Sequence, residues 1–241
     1  MKKRTLLMAL SLLATPAIAI AADGAQDGVA LNYNLIDLVR FGGWVGYIII
    51  LFSVAAVALV VEYALSIRLQ NLVPDSDAET LEALIASGSY DEITARLGAD
   101  DCSFLTAVVA RGVRERERGY DAVIKSMEDA SDEQTGRLLR KIEHLNMIAN
   151  ISPMLGLLGT VMGMVSSFNQ ISVSVGGVDP RRLASGIFEA LMTTVMGLIV
   201  AIPSLYAYGI FRNRVDAVVA TATTRAEDIV APLKNGAGNV R

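Results

Sequence analysis

The sequence predicts an all-α integral membrane protein with three transmembrane helices and a helical cytosolic insert. Three long stretches contain no Asp, Glu, Lys or Arg: Phe41–Val61 with 21 residues, Leu145–Val178 with 34 and Ala190–Phe211 with 22. A helix needs about 20 apolar residues to cross the hydrocarbon core of a bilayer. The composition agrees, because 53% of the 241 residues are hydrophobic but only 6% are aromatic, as in aliphatic helices surrounded by lipid.

The first 22 residues have the pattern of a secretory signal peptide. They begin with three basic residues, continue with the apolar stretch Leu6–Ala14, and end with small residues that offer two Ala-x-Ala cleavage sites. An uncleaved N-terminal anchor is the alternative. In both cases residues 23–40 are expected to form a periplasmic segment of a bacterial protein.

The basic residues that flank the spans predict a periplasmic N-terminus and a cytosolic C-terminus. Loops on the cytoplasmic side of a membrane are enriched in Lys and Arg. Six basic residues flank the predicted cytosolic ends and three flank the opposite ends: Arg68, Arg137, Arg140, Lys141, Arg212 and Arg214 against Arg40, Arg181 and Arg182. We therefore expect a multi-pass protein of the bacterial inner membrane.

These observations divide the chain into segments. After the signal peptide (1–22) and the periplasmic segment (23–40), we predict a first span at 41–67, a cytosolic helical domain at 68–143, a second span at 144–172, a periplasmic turn at 173–182, a third span at 183–211 and a cytosolic tail at 212–241. The helical pattern before the second span contains no proline, so this helix is expected to extend into the cytosol as one rod. The third helix is expected to project in the same way.

Helix signals in the cytosolic domain predict several short helices. Asp77 is expected to cap a helix over Ala78–Ser87 that Gly88 ends. Ser89, with Glu92 three residues later, has the spacing of a capping box at the start of the next helix.

Small residues recur at three- and four-residue steps in the second and third spans, which places them on one face of each helix. The glycines are Gly156, Gly159, Gly163, Gly186 and Gly197. Such faces let helices approach closely in lipid. Pro153 and Pro203 each remove a backbone hydrogen bond and are predicted to kink their helices.

Thr160 and Thr194 lie near mid-membrane on these two faces. One interpretation is structural, since a threonine hydroxyl in a membrane helix often bonds to its own backbone. The other is functional: across a shared interior the two hydroxyls could hold water or solvate a proton carrier from a partner. Both threonines are therefore candidate pore-lining residues.

Glu189 is the only charged residue in the last two spans. A carboxylate costs about 2–3 kcal/mol at the centre of a spanning helix and less near an interface. Such residues usually mark a pathway that faces water or a partner. A surface ion pair with Arg181 or Arg182 is the alternative.

Several function classes are disfavoured by the composition. The formal charge of −4 gives no reason to expect a nucleic-acid partner. The single cysteine, Cys102, cannot form an intrachain disulfide, and the single histidine, His144, cannot build a metal site by itself. No phosphate-binding loop or nucleophile–His–Asp pattern is present, so we predict no enzyme activity, no metal and no cofactor.

Two segments resemble the MotA/TolQ/ExbB proton channel family, and ExbB most closely. They are Pro153–Gly163, followed by Ser166-Ser167-Phe168, and Gly186–Pro203. The family patterns are close to P-x-L-G-L-x-G-T-V-x-G and G-I-x-E-A-L-x-x-T-x-x-G-L-x-x-A-I-P. The resemblance extends over residues 35–225 and includes the three-span topology and the insert.

The resemblance implies a homopentamer around the single spanning helices of an ExbD- or TolR-like dimer, whose membrane aspartate carries the proton. Thr160 and Thr194 match the two pore threonines of the family, and Glu189 matches its span-three glutamate. The complex would use the proton-motive force to energise transport or outer-membrane work through a TonB-like partner. The signal peptide and the N-terminal segment favour an ExbB-type role over a TolQ-type role in envelope integrity. A passive membrane scaffold remains a further alternative.

Overall fold

The computed structural model describes residues 43–67, 72–96, 102–173 and 180–236. All regular elements in this part of the chain are helices: α1 (Gly43–Ser66), α2 (Asp75–Ser87), α3 (Tyr90–Ala95), α4 (Phe104–Arg114), α5 (Tyr120–Val173), α6 (Pro180–Val230) and α7 (Leu233–Gly236), with a short 3-10 turn at Arg116–Arg118. The predicted signal peptide, the predicted periplasmic segment and most of the predicted turn at 173–182 lie outside the described residues.

Three of these helices are long and apolar enough to cross a membrane, namely α1, α5 and α6. For the described residues, the prediction of an all-helical fold with three helices able to span a membrane is therefore confirmed. Helices α5 and α6 contain 54 and 51 residues, far more than one crossing needs. The prediction that the additional turns of α5 and α6 lie on the cytosolic side stays a prediction.

The chain forms two compact units. The spanning unit contains the described residues up to Glu62 together with Glu143–Gly209, and the insert unit contains Tyr63–Ile142 and the residues from Ile210 onward. Both α5 and α6 have residues in each unit, since the unit boundaries at Ile142/Glu143 and Gly209/Ile210 fall inside these helices.

The spanning unit has a small apolar core and a large apolar surface. Its core joins α1 to α6 through Val45, Ile49, Met196 and Val200. Large apolar side chains elsewhere on the unit remain open, with Met154 68% and Phe168 66% exposed. An exposed apolar surface of this extent indicates contact with lipid or with other subunits.

The insert unit is built around α4, which is amphipathic and almost fully covered. The side chains of Leu105, Val108, Val109 and Val113 have no exposed surface. They pack in one core with residues of α2, α3, α5 and α6. The helix is capped by the Ser103 hydroxyl, which accepts a hydrogen bond of 3.3 Å from the Thr106 N–H.

Two predicted caps in this unit are wrong. Helix α2 starts at Asp75 with Pro74 as its N-cap residue, so Asp77 lies inside the first turn. Ser89 precedes α3 but its side chain makes no capping hydrogen bond, because its hydroxyl instead accepts one of 3.0 Å from Ser87. Gly88 does end α2, with a left-handed φ of 74°.

We expect Leu105→Ala to destabilise the insert unit by about 2–5 kcal/mol, because it opens a cavity in a core that cannot refill it. Leu139→Ala removes the same atoms from a half-buried position and serves as the matched control. Thermal unfolding of the detergent-solubilised protein measures both. Equal losses for the two variants would contradict the central position of α4.

Candidate functional site

Helices α5 and α6 pack against each other antiparallel within the spanning unit, and small residues make the contact. A β-carbon added at Gly156 would lie 2.9 Å from the Cα atom of Thr194, and one added at Gly163 would lie 2.7 Å from the Cβ atom of Ala190. Neither position has room for a side chain. The two backbones therefore approach more closely than larger residues would allow.

The tightest main-chain contact of this face involves Gly197. A β-carbon at Gly197 would lie 2.5 Å from the main-chain oxygen of Ser152. At the opposite end of the face, Gly186 packs against the buried side chain of Ser167, whose hydroxyl donates 2.9 Å to the Gly163 oxygen. The five predicted glycines thus lie where α5 and α6 meet.

Thr193 is also part of this face, although it was not among the residues predicted from the sequence. Its side chain is buried against Gly159. Its hydroxyl is 2.7 Å from the Ala190 oxygen in its own helix and 3.2 Å from the Gly156 oxygen across the interface. Thr193 directly precedes Thr194. Its spacing of three residues from Ala190 and four from Gly197 is the pattern from which its place on this face could have been predicted.

The two predicted pore threonines have different surroundings. The Thr160 hydroxyl donates a hydrogen bond of 2.7 Å to the Leu157 oxygen in its own helix. The Thr194 hydroxyl oxygen is buried and makes no hydrogen bond within the described part of the chain. Gly156 packs against the main chain of Thr194, and Thr160 follows Gly156 by about one helical turn.

Glu189 lies on the exposed surface of the spanning unit. Its neighbour Ala190 is buried against Gly163, so the carboxylate is at the edge of the packed face. Pro153 and Pro203 both lie inside continuous helices, one in α5 and one in α6. Their predicted role as kinks stays a prediction.

Metal-binding side chains do not converge in the described segments: no three His, Cys, Asp or Glu residues there are arranged as a metal site needs. Around the packed glycines, the functional groups that the α5–α6 pair offers are hydroxyls, main-chain oxygens and, at the edge, the carboxylate of Glu189. These groups can hold water and pass protons.

The fold and this face define a three-span helical membrane protein in which the second and third spans pack through glycine. The sequence profile of the MotA/TolQ/ExbB proton channel family matches residues 101–224, just over half of the 241 residues. The chain belongs to this family.

Three relatives illustrate the similarity. The chain is 32% identical over 179 residues to a Synechocystis protein named biopolymer transport protein ExbB-like 3, covering 71% of this chain and 82% of that one. It is 32% identical over 136 residues to an ExbB homolog of Methanothermobacter thermautotrophicus, covering 56% and 44%. It is 32% identical over 113 residues to the Tol-Pal system protein TolQ of Pseudomonas aeruginosa, covering 47% and 48%. The match thus spans less than half of the last two proteins.

We expect Gly197→Ala to weaken the α5–α6 contact, because the added methyl group meets a main-chain oxygen that no rotamer change can move. Gly209→Ala is the matched control, since it lies in the same helix and a β-carbon there meets nothing within 4 Å. Where there is room for the methyl group, alanine stabilises a helix by about 1 kcal/mol relative to glycine. Melting temperatures in detergent should fall for Gly197→Ala and hold or rise for Gly209→Ala, and the reverse order would contradict the packing.

Proposed function

We propose that this chain is the proton-channel (stator) subunit of an inner-membrane ExbB–ExbD-like complex. The observation that carries the proposal is the buried Thr194 hydroxyl, which finds no partner in the described chain. A buried hydroxyl without a hydrogen bond costs about 1–3 kcal/mol. We therefore expect it to bond to water or to a group on another subunit.

The proposed proton pathway runs past Thr160, Thr194 and Glu189. Thr194 and Glu189 are five residues apart in α6, about 140° around the helix axis, and Thr160 is about one turn from Gly156, which packs against Thr194. A carboxylate in an apolar helix is stabilised by facing water or a partner. We propose that these side chains line a lumen that holds the spanning helix of an ExbD- or TolR-like protein, whose aspartate takes up and releases the proton.

A lumen of this kind requires several copies of the chain, and we propose a homopentamer. The apolar surface that the single chain exposes supports assembly, since lipid and neighbouring subunits would cover it. Helix packing through glycine keeps α5 and α6 paired inside each copy.

The energetic scale of the proposal is adequate. One elementary charge crossing 100 mV releases about 2.3 kcal/mol. Two or three protons therefore supply about the 5.5 kcal/mol that inverts a two-state equilibrium from 1:99 to 99:1. We propose that a TonB-like partner delivers this energy as transport or as work on the outer membrane.

The proposed location is the bacterial inner membrane, with the N-terminus periplasmic and the C-terminus cytosolic. In this orientation the insert unit is cytosolic, and the extra turns of α5 and α6 project into the cytosol. The distribution of basic flanking residues supports it.

A TolQ-like role in envelope integrity is the second candidate. It is favoured by the similarity to TolQ of Pseudomonas aeruginosa, whose identity of 32% equals that of the Synechocystis ExbB-like 3 protein over a shorter segment. A passive scaffold is the third candidate, because glycine packing alone would serve assembly. The scaffold candidate differs from the main proposal in one expectation: loss of the pathway residues would leave proton uptake unchanged.

Removal of single polar groups tests the pathway. We expect Thr194→Val, Thr160→Val and Glu189→Ala each to lower proton-driven activity at least about tenfold, as loss of a proton-transfer group does. The oligomer should stay intact. The readout is potential-driven proton uptake by vesicles that contain the complex purified with its partners.

Thr221→Val is the control for this series, because Thr221 is exposed in the insert unit and bonds only to its own helix at 2.9 Å in the described structure. Its activity should match the native protein. If all three pathway variants assembled and conducted normally, the scaffold interpretation would replace the channel.

Cys102 offers a test of the orientation. Partial burial raises the pKa of its thiol, and the Asp77 carboxylate raises it further. The reactive thiolate is therefore scarce at neutral pH, and labelling is best done at alkaline pH. A membrane-impermeant maleimide should label Cys102 in intact spheroplasts only after permeabilisation.

The control for labelling is Val178→Cys in a Cys102→Ser background. Its predicted periplasmic position should react without permeabilisation. The opposite pattern for the two sites would invert the proposed topology.

A further inference from the structure

A second polar cluster lies in the spanning unit, apart from the threonines and Glu189. It consists of Glu143, Asn146 and Asn150 on α5 and Tyr208 on α6. Glu143 lies where the charge-free stretch of the second span begins. On the orientation proposed above, this is the cytosolic end of the span.

The carboxylate of Glu143 is held at both oxygens. Its Oε1 atom accepts a hydrogen bond of 2.8 Å from the Asn146 amide, and its Oε2 atom accepts one of 3.3 Å from the Tyr208 hydroxyl. Both contacts are partly buried. The side chain is thus fixed in place at the end of an apolar helix instead of extending freely into solvent.

Asn150 continues the cluster towards the middle of the span. Its amide nitrogen is 3.0 Å from the Asn146 Oδ1 atom and 2.8 Å from the Asn146 main-chain oxygen. Asn150 is exposed on the surface of the unit. An amide inside a membrane span is costly against lipid, so the exposed side chain is better placed facing water or a protein interior.

The cluster is near the helical face that carries Thr160. Asn146 precedes Thr160 by 14 residues, which at 3.6 residues per turn leaves an angular offset of about 40°. Glu143 precedes it by 17 residues, a rise of about 25 Å. This distance covers most of a hydrocarbon core of about 30 Å. By the same count Asn150 is offset by about 80° and Glu143 by about 100°, both in the same direction as Asn146. The polar groups of α5 therefore lie within a sector of about 100° to one side of Thr160.

We propose that Glu143 is the proton acceptor at the cytosolic end of the pathway, with Tyr208 and Asn146 as its positioning residues. The inference rests on the proposed channel function. A hydrated proton that leaves the lumen transfers to a Glu143 carboxylate oxygen, so that one O–H bond forms as the O–H bond of the hydronium breaks. The carboxylic acid then gives the proton to cytosolic water and returns to the carboxylate.

The hydrogen bonds hold the carboxylate in place and still leave it able to accept a proton. Tyr208 and Asn146 donate without giving up their own protons, so each carboxylate oxygen retains lone pairs for an incoming proton. The asparagines do not carry the proton themselves. They hold water between Thr160 and Glu143.

The decisive variants are Glu143→Gln and Glu143→Asp. Glutamine keeps the shape of the side chain and an oxygen acceptor, but it cannot take up a proton. Aspartate keeps the titrating group on a shorter side chain. Each is made in the full chain, purified with its partners and reconstituted in phosphatidylethanolamine–phosphatidylglycerol vesicles, where a potassium diffusion potential drives proton uptake.

We expect Glu143→Gln to lower the rate of proton uptake at least about tenfold. Glu143→Asp should restore a substantial part of the rate. Assembly and melting temperature should be unchanged in both. Tyr208→Phe, which retains the carboxylate but releases one oxygen, should lower the rate less than Glu143→Gln does.

Thr194→Val in the same assay separates this inference from the channel proposal. If Thr194→Val is inactive while Glu143→Gln conducts like the native protein, the acceptor role of Glu143 is overturned and the channel remains. If Glu143→Gln fails to assemble, the cluster is a structural tie between α5 and α6 and the inference is also wrong. Normal conduction by all three pathway variants, Thr194→Val, Thr160→Val and Glu189→Ala, would remove the channel proposal, and the inference with it.

Discussion

The close approach of α5 and α6 is the constraint on which the rest of the spanning unit depends. It is made by main chain against main chain, since a β-carbon at Gly156 or Gly197 would overlap the backbone of the other helix. Lipid offers no hydrophobic driving force between apolar helices, so dispersion contacts and hydrogen bonds have to supply the attraction. Glycine at these positions, with small residues around it, brings enough backbone atoms of the two helices into contact.

The hydroxyls of this face follow from the same constraint. Where two helices are this close, a buried side chain has to be small, and its polar atom has to find an oxygen nearby. Thr193 and Ser167 meet both conditions through hydrogen bonds to main-chain oxygens. Thr194, one residue from Thr193, is turned about 100° around the helix and does not. That difference separates a packing residue from a candidate pathway residue.

The sequence was sufficient for the class of fold, because long charge-free stretches and small residues at helical spacing are signals that a single helix carries by itself. It was insufficient to identify Thr193 as the threonine packed between the helices, since periodicity cannot resolve adjacent residues when both fit a small-residue face. The cluster around Glu143 was also missed, because Tyr208 is 65 residues away along the chain. Only the pairing of α5 with α6 brings them together.

The wrong caps at Asp77 and Ser89 have a related cause. A capping motif states which side chain is able to bond, but the backbone angles of the preceding loop decide whether it does. Pro74 has an extended backbone, and α2 starts directly after it at Asp75. Ser89 is the only residue between Gly88 and the start of α3 at Tyr90, and its hydroxyl bonds to Ser87 instead of capping α3.

The main-chain contact at Gly197 also limits how the subunit can move. A joint between two backbones has no rotamers to exchange, so sliding one helix along the other would drive a carbonyl oxygen into the opposing chain. The paired helices α5 and α6 should therefore tilt or rotate together as one rigid body. Any adjustment of the pair to its surroundings has to come from its exposed side chains, where unbranched residues such as Met154, Met162 and Met164 can re-pack against a changing neighbour.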